Sequence, residues 1–585
     1  MTAPVNSDVS SAWMIPGVYI QLDLTGAGAN LSNIQSRSLL VGYKTSAGTA
    51  APDTPVLVTG QSLANQYGGR GSELARMFAA FQAQVGGGQA DVFLLPIAEP
   101  SGGTAATRLI TFDFSTGSSA AAQDSIDVFI AGYKMSALVA SGDTATVIGA
   151  SVRDAINANL DLPVTATASS GVVTLTARTK GLTGEDLPVI VNVPNSSSSK
   201  IRAAAGTVTY ATNATGNGSA TVSVGGTTYT AAITSGDTPS VVATAVGAAI
   251  NAASGPVTAS VSSAVVTLYY ETDRVVQRPS AAIVTSTGIT ATVAAGTAGA
   301  GTPTLTNALA VVAAQSAFGF WATSFNDATS LGTMATHIEA YANGLYQKDQ
   351  FLWFGSTDPL ATAGAIPAAT TPSLTSSVRY HEDWCMDSPQ QAYELAARHA
   401  AMVCVNSFKA QNYDGAPLQS LTPTVPLLLP HRNSRPSPAD VNSAMRSYYM
   451  TPLVVDESAN KLTVCRGRTT SSASDERLWD TSLGQVAGYI RYDMNSFLRT
   501  RFKQKSIKQF SKPRTPNTIN IDDVKDAITE RLFAYDGADF LDGAEQLKAA
   551  VAANINVLSP SRIDAYIPFR PPVPLHIMAP VLGLV

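Results

Sequence analysis

The stretch FGFWATSFNDATSLGTMATHIEAYANGLYQKDQFLWFG, residues 318–355, places an amphipathic segment between two apolar ones. The apolar segments, 318–323 and 351–355, have the length and aromatic content of strands. Between them, apolar side chains recur at helical spacing. These side chains are Leu331, Met334, Ile338, Tyr341 and Leu345. A strand, a helix and a second strand in this order predict an α/β domain.

The same alternation occurs on the N-terminal side of the chain. Strands are predicted at 38–43, 56–58 and 90–96, where Leu, Val and Phe predominate. A helix is predicted to begin near Ser72, because apolar residues then follow at positions i, i+3, i+4 and i+7. These residues are Leu74, Met77, Phe78 and Phe81. We predict that both regions belong to one α/β domain interrupted by an insertion.

A further helix start is predicted downstream, at Ser388-Pro389-Gln390-Gln391. This tetrapeptide offers an N-cap serine, a proline at the first helical position and a capping-box glutamine. We therefore expect the next helix of the α/β domain to begin directly after Ser388.

The middle of the chain has a different composition, which changes near residue 113 and again near residue 302. Residues 121–300 contain 18 charged residues and only 6 of the chain's 42 aromatic residues. The sequence is also internally repeated, with matching blocks 94 residues apart and, after a one-residue deletion, 93 apart. The blocks are Ser141-Gly142-Asp143-Thr144 with Ser235-Gly236-Asp237-Thr238, Ala155-Ile156-Asn157-Ala158 with Ala249-Ile250-Asn251-Ala252, Pro163-Val164-Thr165-Ala166 with Pro256-Val257-Thr258-Ala259, and Val172-Val173-Thr174-Leu175 with Val265-Val266-Thr267-Leu268. Four blocks in register indicate a duplicated unit.

Each repeat is predicted to be a small α+β module made of a hairpin, a helix and a second hairpin. Asp143 or Thr144 can cap the helix, which carries Val147, Ile148, Val152 and Ile156 at helical spacing. Because neither repeat contains a His, a Cys or a clustered pair of carboxylates, no catalysis is expected there.

A basic run follows the α/β region, in a segment that begins with a long predicted helix. Its apolar stripe is Leu483, Val486, Ile490, Met494 and Phe497, and Arg491, Asn495, Arg499 and Lys503 recur at steps of four on another face. Residues 491–514 carry eight basic residues and one acid, Asp493, so the run is +7 in a chain of −5. Three interpretations are open: a solvated face, a docking strip for an acidic protein partner, or a nucleic-acid site, although few aromatics are interleaved.

The C-terminal end is predicted to contain helices near 521–532 and 544–552, followed by two extended segments, 562–568 and 571–585. The last 15 residues have four prolines and no charge except a possible one on His576. Such an apolar segment cannot fold alone, but it can lie on the sheet edge of a partner.

Charge and composition argue against several classes of protein. Charged residues are 14% of the chain, against about 25% in an ordinary soluble domain, which predicts a surface covered by other protein. The net charge of −5 offers no general basic field, so no direct nucleic-acid binding is expected. No signal-peptide pattern and no run of 18 apolar residues occur, so neither secretion by that route nor membrane insertion is expected. Cys385, Cys404 and Cys465 form no C-x-x-C pair and are predicted to be buried thiols.

No catalytic, cofactor-binding or metal-binding residue is nominated. The sequence has no G-x-x-x-x-G-K-[ST], G-x-S-x-G or H-E-x-x-H motif. His381-Glu382-Asp383 is polar enough for a site, but we expect a loop or a domain contact there. His337 and His399 are expected to be packed or surface side chains, and the five-residue separation of His399 and Cys404 is a poor nucleophile–base geometry.

Four short motifs, taken in order, resemble the tail sheath proteins of contractile-tailed bacteriophages. The motif that begins at Gly488 lies in the long predicted helix, and the motif that begins at Arg562 lies in the closing strand of the C-terminal region. In the motif that begins at Arg178, Glu185 stands where asparagine is commoner in that family. The motifs are Ile15-Pro16-Gly17-Val18-Tyr19-Ile20, Arg178-Thr179-Lys180-Gly181-Leu182-Thr183-Gly184-Glu185-Asp186-Leu187, Gly488-Tyr489-Ile490-Arg491-Tyr492-Asp493 and Arg562-Ile563-Asp564.

The resemblance implies a nested architecture of α/β and α+β domains. Its parts would be an N-terminal arm (1–25) belonging to an inner domain, a discontinuous middle α/β domain (26–112 with 305–474), an outer insertion of two repeats (113–302, divided at about 205/206), an inner C-terminal domain facing a tube (475–570) and a C-terminal arm (571–585).

The resemblance also implies a non-enzymatic structural role. Subunits would stack as hexameric rings around a tail tube and contract to drive the tube through the host envelope for genome ejection. Arms would link the subunits by strand exchange, through Ile15, Pro16, Gly17, Val18, Tyr19, Ile20, Leu575, Ile577, Val581 and Leu584. A basic strip would face the tube protein, through Arg491, Arg499, Arg501, Lys503, Lys505 and Lys508. Baseplate and tail terminator proteins would bind at the ends, and the protein would be assembled in the host cytoplasm and located in the virion tail.

Two other classes of protein are alternatives to this interpretation. A bacterial cell-surface adhesin or surface-layer protein would also have Thr/Val/Gly-rich β modules, but it predicts a secretion signal and an anchor. A hydrolase acting on cell wall or carbohydrate would need a pair of carboxylates in a cleft, and the spacing nominates none.

Overall fold

The computed structural model describes residues 37–576, except 87–90, 194–195, 226, 316, 406–412, 423–424, 513–514 and 557–560. The chain forms two compact units. The larger unit contains the described residues of Gln35–Ser407, Gln411–Gln485 and Pro574–Val585. The smaller unit contains the described residues of Val486–Val573.

The larger unit begins with β1 (Arg37–Tyr43), β2 (Val56–Val58), α1 (Gln61–Gly68), α2 (Glu73–Val85) and β3 (Asp91–Ile97). It continues with β4 (Ala105–Phe114), β5 (Asp124–Ile130), β6 (Tyr133–Val139), α3 (Ala145–Ala158), β7 (Val164–Ser169), β8 (Val172–Lys180), β9 (Val189–Asn192), α4 (Ser196–Ser199), β10 (Ile201–Ala211), β11 (Gly218–Val224), β12 (Thr227–Ile233), α5 (Pro239–Ala252), β13 (Val257–Ser262), β14 (Val265–Tyr270), β15 (Ser280–Val284) and β16 (Thr290–Ala294). It then has α6 (Thr306–Ala313), β17 (Phe320–Thr323), α7 (Ala328–Ala342), β18 (Phe351–Ser356), α8 (Leu360–Ala363), α9 (Ile366–Ala369), β19 (Tyr380–Trp384), α10 (Ala392–Val405), α11 (Pro438–Arg446), β20 (Thr451–Asp456) and β21 (Lys461–Val464).

An eight-stranded sheet is the centre of the α/β part, in the order β2-β3-β1-β17-β18-β19-β20-β21. Its six inner strands run parallel, and the edge strands β2 and β21 are antiparallel to their neighbours. Strand β1 pairs directly with β17, with Ser38 opposite Phe320, so one sheet uses chain from both sides of the repeats. The apolar strands predicted around 38–43, 90–96 and 351–355 are confirmed, and they supply a core that includes Leu39, Leu95 and Leu352.

Two helix boundaries in the α/β part differ from the predictions. Helix α7 ends at Ala342 because the side-chain oxygen of Asn343 accepts the backbone N–H groups of Leu345 and Tyr346. Leu345 therefore lies outside the helix and is 82% exposed, although it was predicted to continue the apolar stripe. Such local hydrogen bonds from Asn compete with helical ones.

Helix α10 begins at Ala392, so the predicted start at Ser388 is wrong. The backbone of this segment is tied to the end of β18, since Cys385 donates to the Ser356 carbonyl (3.1 Å) and Asp387 to the Thr357 carbonyl (3.2 Å). Ser388 Oγ then accepts from the N–H of Gln390 within a turn (3.0 Å) and caps no helix. Helix α10 therefore begins only after this turn, at Ala392.

The predicted duplication is confirmed element by element. Strands β5 and β6 and helix α3 begin 94 residues before β11, β12 and α5, and β7 and β8 begin 93 residues before β13 and β14. Each copy has a separate apolar core, the first with Ile148, Val152 and Ile156 and the second with Val242, Val246 and Ile250. Val147 is the exception among the predicted helix residues, because it is 46% exposed.

The repeated motifs have structural explanations. Asn157 binds both backbone groups of Ala166, and Asn251 does the same with Ala259, at 2.7–2.9 Å in all four bonds. Each Asn thus fastens its helix to the hairpin that follows. Asp143 accepts the N–H of Ala140 to close a turn and is not the helix cap, and Thr144 occupies the N-cap position without a side-chain bond to the helix.

The two repeats share a sheet, in which β4 pairs with β8 and with β10, the strand that crosses from the first repeat into the second near residue 205. This sheet starts at Ala105, before the change of composition near residue 113.

The repeats are anchored to the α/β part through Glu73, a fully buried residue at the start of α2. Its carboxylate accepts from Thr179 (3.1 Å) and Thr183 (2.5 Å) of the first repeat, and also from the Tyr43 N–H and the Ser324 hydroxyl. Burial raises the pKa of the Glu73 carboxyl, and these hydrogen bonds counter the rise.

The smaller unit contains α12 (Thr481–Arg501, from Val486 onward), β22 (Ser506–Ile507), β23 (Thr518–Ile519), α13 (Ile521–Asp536), α14 (Ala544–Leu547), β24 (Ala552–Ile555) and β25 (Ile563–Tyr566). Its core joins α12 and α13 through Ile490, Met494, Ile528 and Leu532. The helix predicted at 544–552 is shorter than expected, because Ala552 opens β24, which pairs antiparallel with β25.

Candidate functional site: a basic strip and a C-terminal segment

The basic strip lies partly on α12 and partly on the chain that follows it. Arg491, Arg499 and Arg501 are on the helix, which ends at Arg501. Lys503 and Lys505 come after the helix and Lys508 after β22, so the predicted step of four from Arg499 to Lys503 is not helical. Four members are exposed, and Arg491 and Lys508 are half-buried.

The acid within the basic run points away from solvent. Asp493 is fully buried and accepts two hydrogen bonds from Arg531 of α13, from Nε at 2.7 Å and from a terminal nitrogen at 2.6 Å. The Tyr535 hydroxyl donates a third bond of 2.6 Å, and burial together with this bond raises the pKa of Tyr535. Asp493 therefore joins α12 to α13 and leaves the surface of the basic strip more positive than the sequence count suggests.

One exposed member of the basic strip has an acidic neighbour within the smaller unit. Arg501 lies 2.6 Å from Glu530 of α13, and both side chains are about half exposed. An ion pair in this setting contributes little to stability, about 0–1 kcal/mol. Arg499, Lys503 and Lys505 are the exposed cations to which the tests below apply.

The C-terminal arm is described as far as His576. Residues 571–576 form no helix or strand, and Leu575 is 67% exposed. His576 contacts two carboxylates of the larger unit, Asp414 and Asp480, which the sequence did not single out. Ile577, Val581 and Leu584 lie outside the described residues, as do Ile15, Pro16, Gly17, Val18, Tyr19 and Ile20 of the N-terminal arm.

The polar triplet His381-Glu382-Asp383 is not a loop, because all three residues belong to β19 and are fully buried. Asp383 lies 2.6 Å from His399 Nδ1, and His381 stacks on Trp353 with ring centroids 4.4 Å apart. Burial, with the neighbouring His399, lowers the pKa of His381 to about 3. The polar triplet is therefore part of the interior of the sheet.

The remaining histidine and cysteine predictions are settled by burial. His337 is packed beside Trp321 and Tyr341, and burial lowers its pKa to about 4. Cys385 and Cys404 are buried free thiols, as predicted, whereas Cys465 is half-buried.

In the described part of the chain, no group of three or more His, Cys, Asp and Glu side chains is arranged to hold a metal ion. Nor does any helix of that part have the length and apolar character needed to cross a bilayer.

Sequence comparison finds a similarity to a tail sheath protein. The Mu-like prophage FluMu tail sheath protein of Haemophilus influenzae is 33% identical to this chain over 186 residues. The match covers 32% of this chain and 37% of the length of that relative. No family model matches the chain. The resemblance to the tail sheath family that the short motifs indicated is thereby confirmed.

Solved structures of sheath proteins also align with the chain. The sheath tail protein of Desulfitobacterium hafniense aligns with a TM-score of 0.39 and 11% identity, covering 92% of this chain and 93% of that one. The sheath tail protein Lin1278 of Listeria innocua gives 0.35 and 10%, covering 90% and 88%. The contracted sheath complex of an extracellular contractile injection system gives 0.33 and 10%, covering 47% and 72%.

Proposed function

We propose that this chain is the sheath subunit of a contractile tail, a structural protein without enzymatic activity. It polymerises as stacked hexameric rings around a tail tube and contracts to drive the tube through the host envelope. Baseplate and tail terminator proteins bind the ends of the polymer. The protein is assembled in the host cytoplasm and resides in the virion tail. The observation that carries the proposal is the 33% identity to a tail sheath protein over 186 residues.

Polymerisation of the purified protein tests this proposal. We expect negative-stain images to show tubes or stacked rings, because a sheath subunit has interfaces for copies of itself. Monomers that stay dispersed over a wide range of concentration and salt would contradict the proposal and favour the adhesin alternative.

We also propose the nested domain arrangement that the family resemblance implies. Residues 113–302 form the outer insertion, 26–112 with 305–474 the middle domain, and 475–570 with the N-terminal arm the inner domain. Two observations support it: the repeats have their own cores, and Val486–Val573 is a compact unit.

The basic strip is proposed to bind the tail tube by charge complementarity. Reversing the charge of Arg499, Lys503 and Lys505 together should reduce co-assembly with the tube protein and leave tube-free sheath polymers able to form. Each exposed pair is worth about 0–1 kcal/mol and is screened over about 8 Å at physiological salt, so the loss should be largest at low salt. Co-sedimentation with tubes across a salt series measures it.

A matched control reverses three exposed cations of the larger unit, Lys134, Arg432 and Lys461, which changes the net charge by the same amount. This variant should co-sediment like the parent protein. If the strip variant co-assembles like the parent protein at both low and high salt, the basic strip is a solvated face and does not bind the tube.

A further inference from the structure

Two arginines and one glutamate form a buried ionic cluster between α2 and α10. Arg76 of α2 pairs with Glu394 of α10, and their side chains are 3% and 1% exposed. Arg398, one turn further along α10, is fully buried, and one of its terminal nitrogens lies 3.7 Å from the other oxygen of Glu394. Two guanidiniums therefore share a single carboxylate, and the cluster carries a surplus of one positive charge.

Two further acids lie near this cluster, and each has partners of its own. Asp161 of the first repeat is partly exposed, and both of its oxygens accept hydrogen bonds from Arg70, at 2.7 and 3.1 Å. Glu73, three residues before Arg76 on α2, accepts four hydrogen bonds from other elements, and burial raises the pKa of its carboxyl. Because a buried charge without a counter-ion is costly, the cluster favours the approach of an anion.

Arg76 also lines a cavity of about 440 Å³, which we call the Arg76 cavity. This volume is typical of sites for small molecules. The two terminal nitrogens of Arg76 donate to the carbonyls of Asp161 and Ala131, both at 2.9 Å. Its Nε is buried and forms no hydrogen bond with the residues that the structure describes. The site thus retains one N–H donor on a charged group.

Two tyrosines lie beside the Arg76 guanidinium. The ring of Tyr133, which also lines the Arg76 cavity, has its centre 5.1 Å from the guanidinium carbon. Tyr393 is the second tyrosine close enough to act on the charge of Arg76. Burial raises the pKa of both hydroxyls, so neither tyrosine supplies the missing negative charge.

The rest of the wall of the Arg76 cavity is mainly apolar. Helix α2 contributes Ala75, Ala79 and Ala83, which lie four residues apart on one face and leave the helix surface open. Leu421 and Val425 add branched apolar side chains. A ligand that fills this cavity therefore needs an apolar body in addition to its negative charge.

We propose that the Arg76 cavity binds a small carboxylate with an apolar body, whose carboxylate oxygen accepts a hydrogen bond from Arg76 Nε. A carboxylate matches the planar guanidinium and neutralises the surplus charge of the cluster. Because Arg76 already bonds the backbone of the first repeat, an occupant stabilises the junction between this repeat and α2. None of the lining residues belongs to the basic strip or the C-terminal arm, so the site does not depend on the proposed function.

Ligand-observed ¹⁹F NMR on the full chain tests the proposal. The probes are 4-(trifluoromethyl)benzoate and its neutral analogue 4-(trifluoromethyl)benzamide, which share an apolar ring and differ in charge. We expect saturable binding of the benzoate to one site per chain, about tenfold tighter than binding of the amide, because a charge-assisted hydrogen bond is stronger than a neutral one. The proposal is wrong if the benzoate does not bind the folded protein at millimolar concentration, or if the two probes bind equally well.

A blocking variant and a matched control locate the site. A79W fills the Arg76 cavity from the middle of the alanine row and should abolish binding of both probes. A248W places the same side chain at an exposed position of α5 and should bind like the parent protein. Circular dichroism verifies both folds, and A83W, in the same row, replaces A79W if that variant does not fold. Unchanged binding by a folded blocking variant would exclude the Arg76 cavity as the site.

R398M tests the charge argument separately. Arg398 is not among the described residues that line the Arg76 cavity, but it supplies the second guanidinium of the cluster. In R398M one guanidinium faces one carboxylate, so the cluster is neutral. We expect the preference for the benzoate over the amide to fall several-fold, with the affinity for the amide close to that of the parent protein. A preference as large as in the parent would show that the surplus charge does not select the ligand, and would overturn the assignment to an anion.

Discussion

Replacing Arg531 by leucine is expected to destabilise the smaller unit by about 3–5 kcal/mol, because it leaves the buried Asp493 carboxylate without its guanidinium partner. The side chains of Arg531 and Asp493 are 3% and 0% exposed, so water cannot replace the lost guanidinium. Hydrogen exchange of peptides from α12 and α13 is the appropriate measurement.

The chain offers a matched control on the same two helices. Arg501 and Glu530 also form an Arg–carboxylate pair between α12 and α13, but both side chains are exposed. R501L should therefore change protection by no more than about 1 kcal/mol. The double variant D493L/R531L should recover part of the loss, because it removes the buried charge together with its partner. An effect of R531L as small as that of R501L would show that Asp493 is hydrated in solution.

Much of the fold could be predicted because its signals are local in sequence. The strands around Ser38 and Phe351 are short apolar runs, and the helix after Ser72 has an unambiguous apolar periodicity, with Ser72 as its N-cap. The duplication was visible because Asn157 and Asn251 make the same pair of backbone bonds in each copy, which explains why those blocks recur in register.

Two of the errors arose where residues are bonded to neighbours that the sequence does not bring close, whereas the end of α7 is set locally by Asn343. Ser388 has every local feature of a cap, but the backbone just before it, at Cys385 and Asp387, is tied to the end of β18, about 30 residues earlier. His381-Glu382-Asp383 has too many polar groups to resemble a buried strand. The triplet is nevertheless a buried strand. Inside the sheet, His399 of another element forms a hydrogen bond with Asp383, and Trp353 stacks on His381.

The basic strip and the C-terminal segment show the same difference between local signals and long-range contacts. A run of basic residues is a local signal, so the basic strip could be found from the sequence, but the burial of Asp493 by Arg531 could not, since 38 residues separate them. His576 contacts Asp414 and Asp480, which lie 162 and 96 residues from it in the sequence. No periodicity or motif connects residues at such distances.

Deleting residues 571–585 is expected to abolish polymerisation and to leave a soluble, folded monomer. The fold should survive because the described part of this segment, residues 571–576, contributes no helix or strand. The assembly should not survive, because about five backbone hydrogen bonds at roughly 1 kcal/mol each, with burial of apolar side chains, amount to several kcal/mol per contact before ordering costs. Sedimentation and electron microscopy measure the loss, and circular dichroism verifies the fold.

A shorter deletion separates the two contributions of the C-terminal arm. Removing only 577–585 keeps residues 571–576 but removes Ile577, Val581 and Leu584. Polymers of this variant should form weakly, at higher protein concentration than the wild type needs, because the contacts of residues 571–576 remain without the apolar ones. If the protein lacking 571–585 formed normal polymers, the C-terminal arm would not be the connection between subunits.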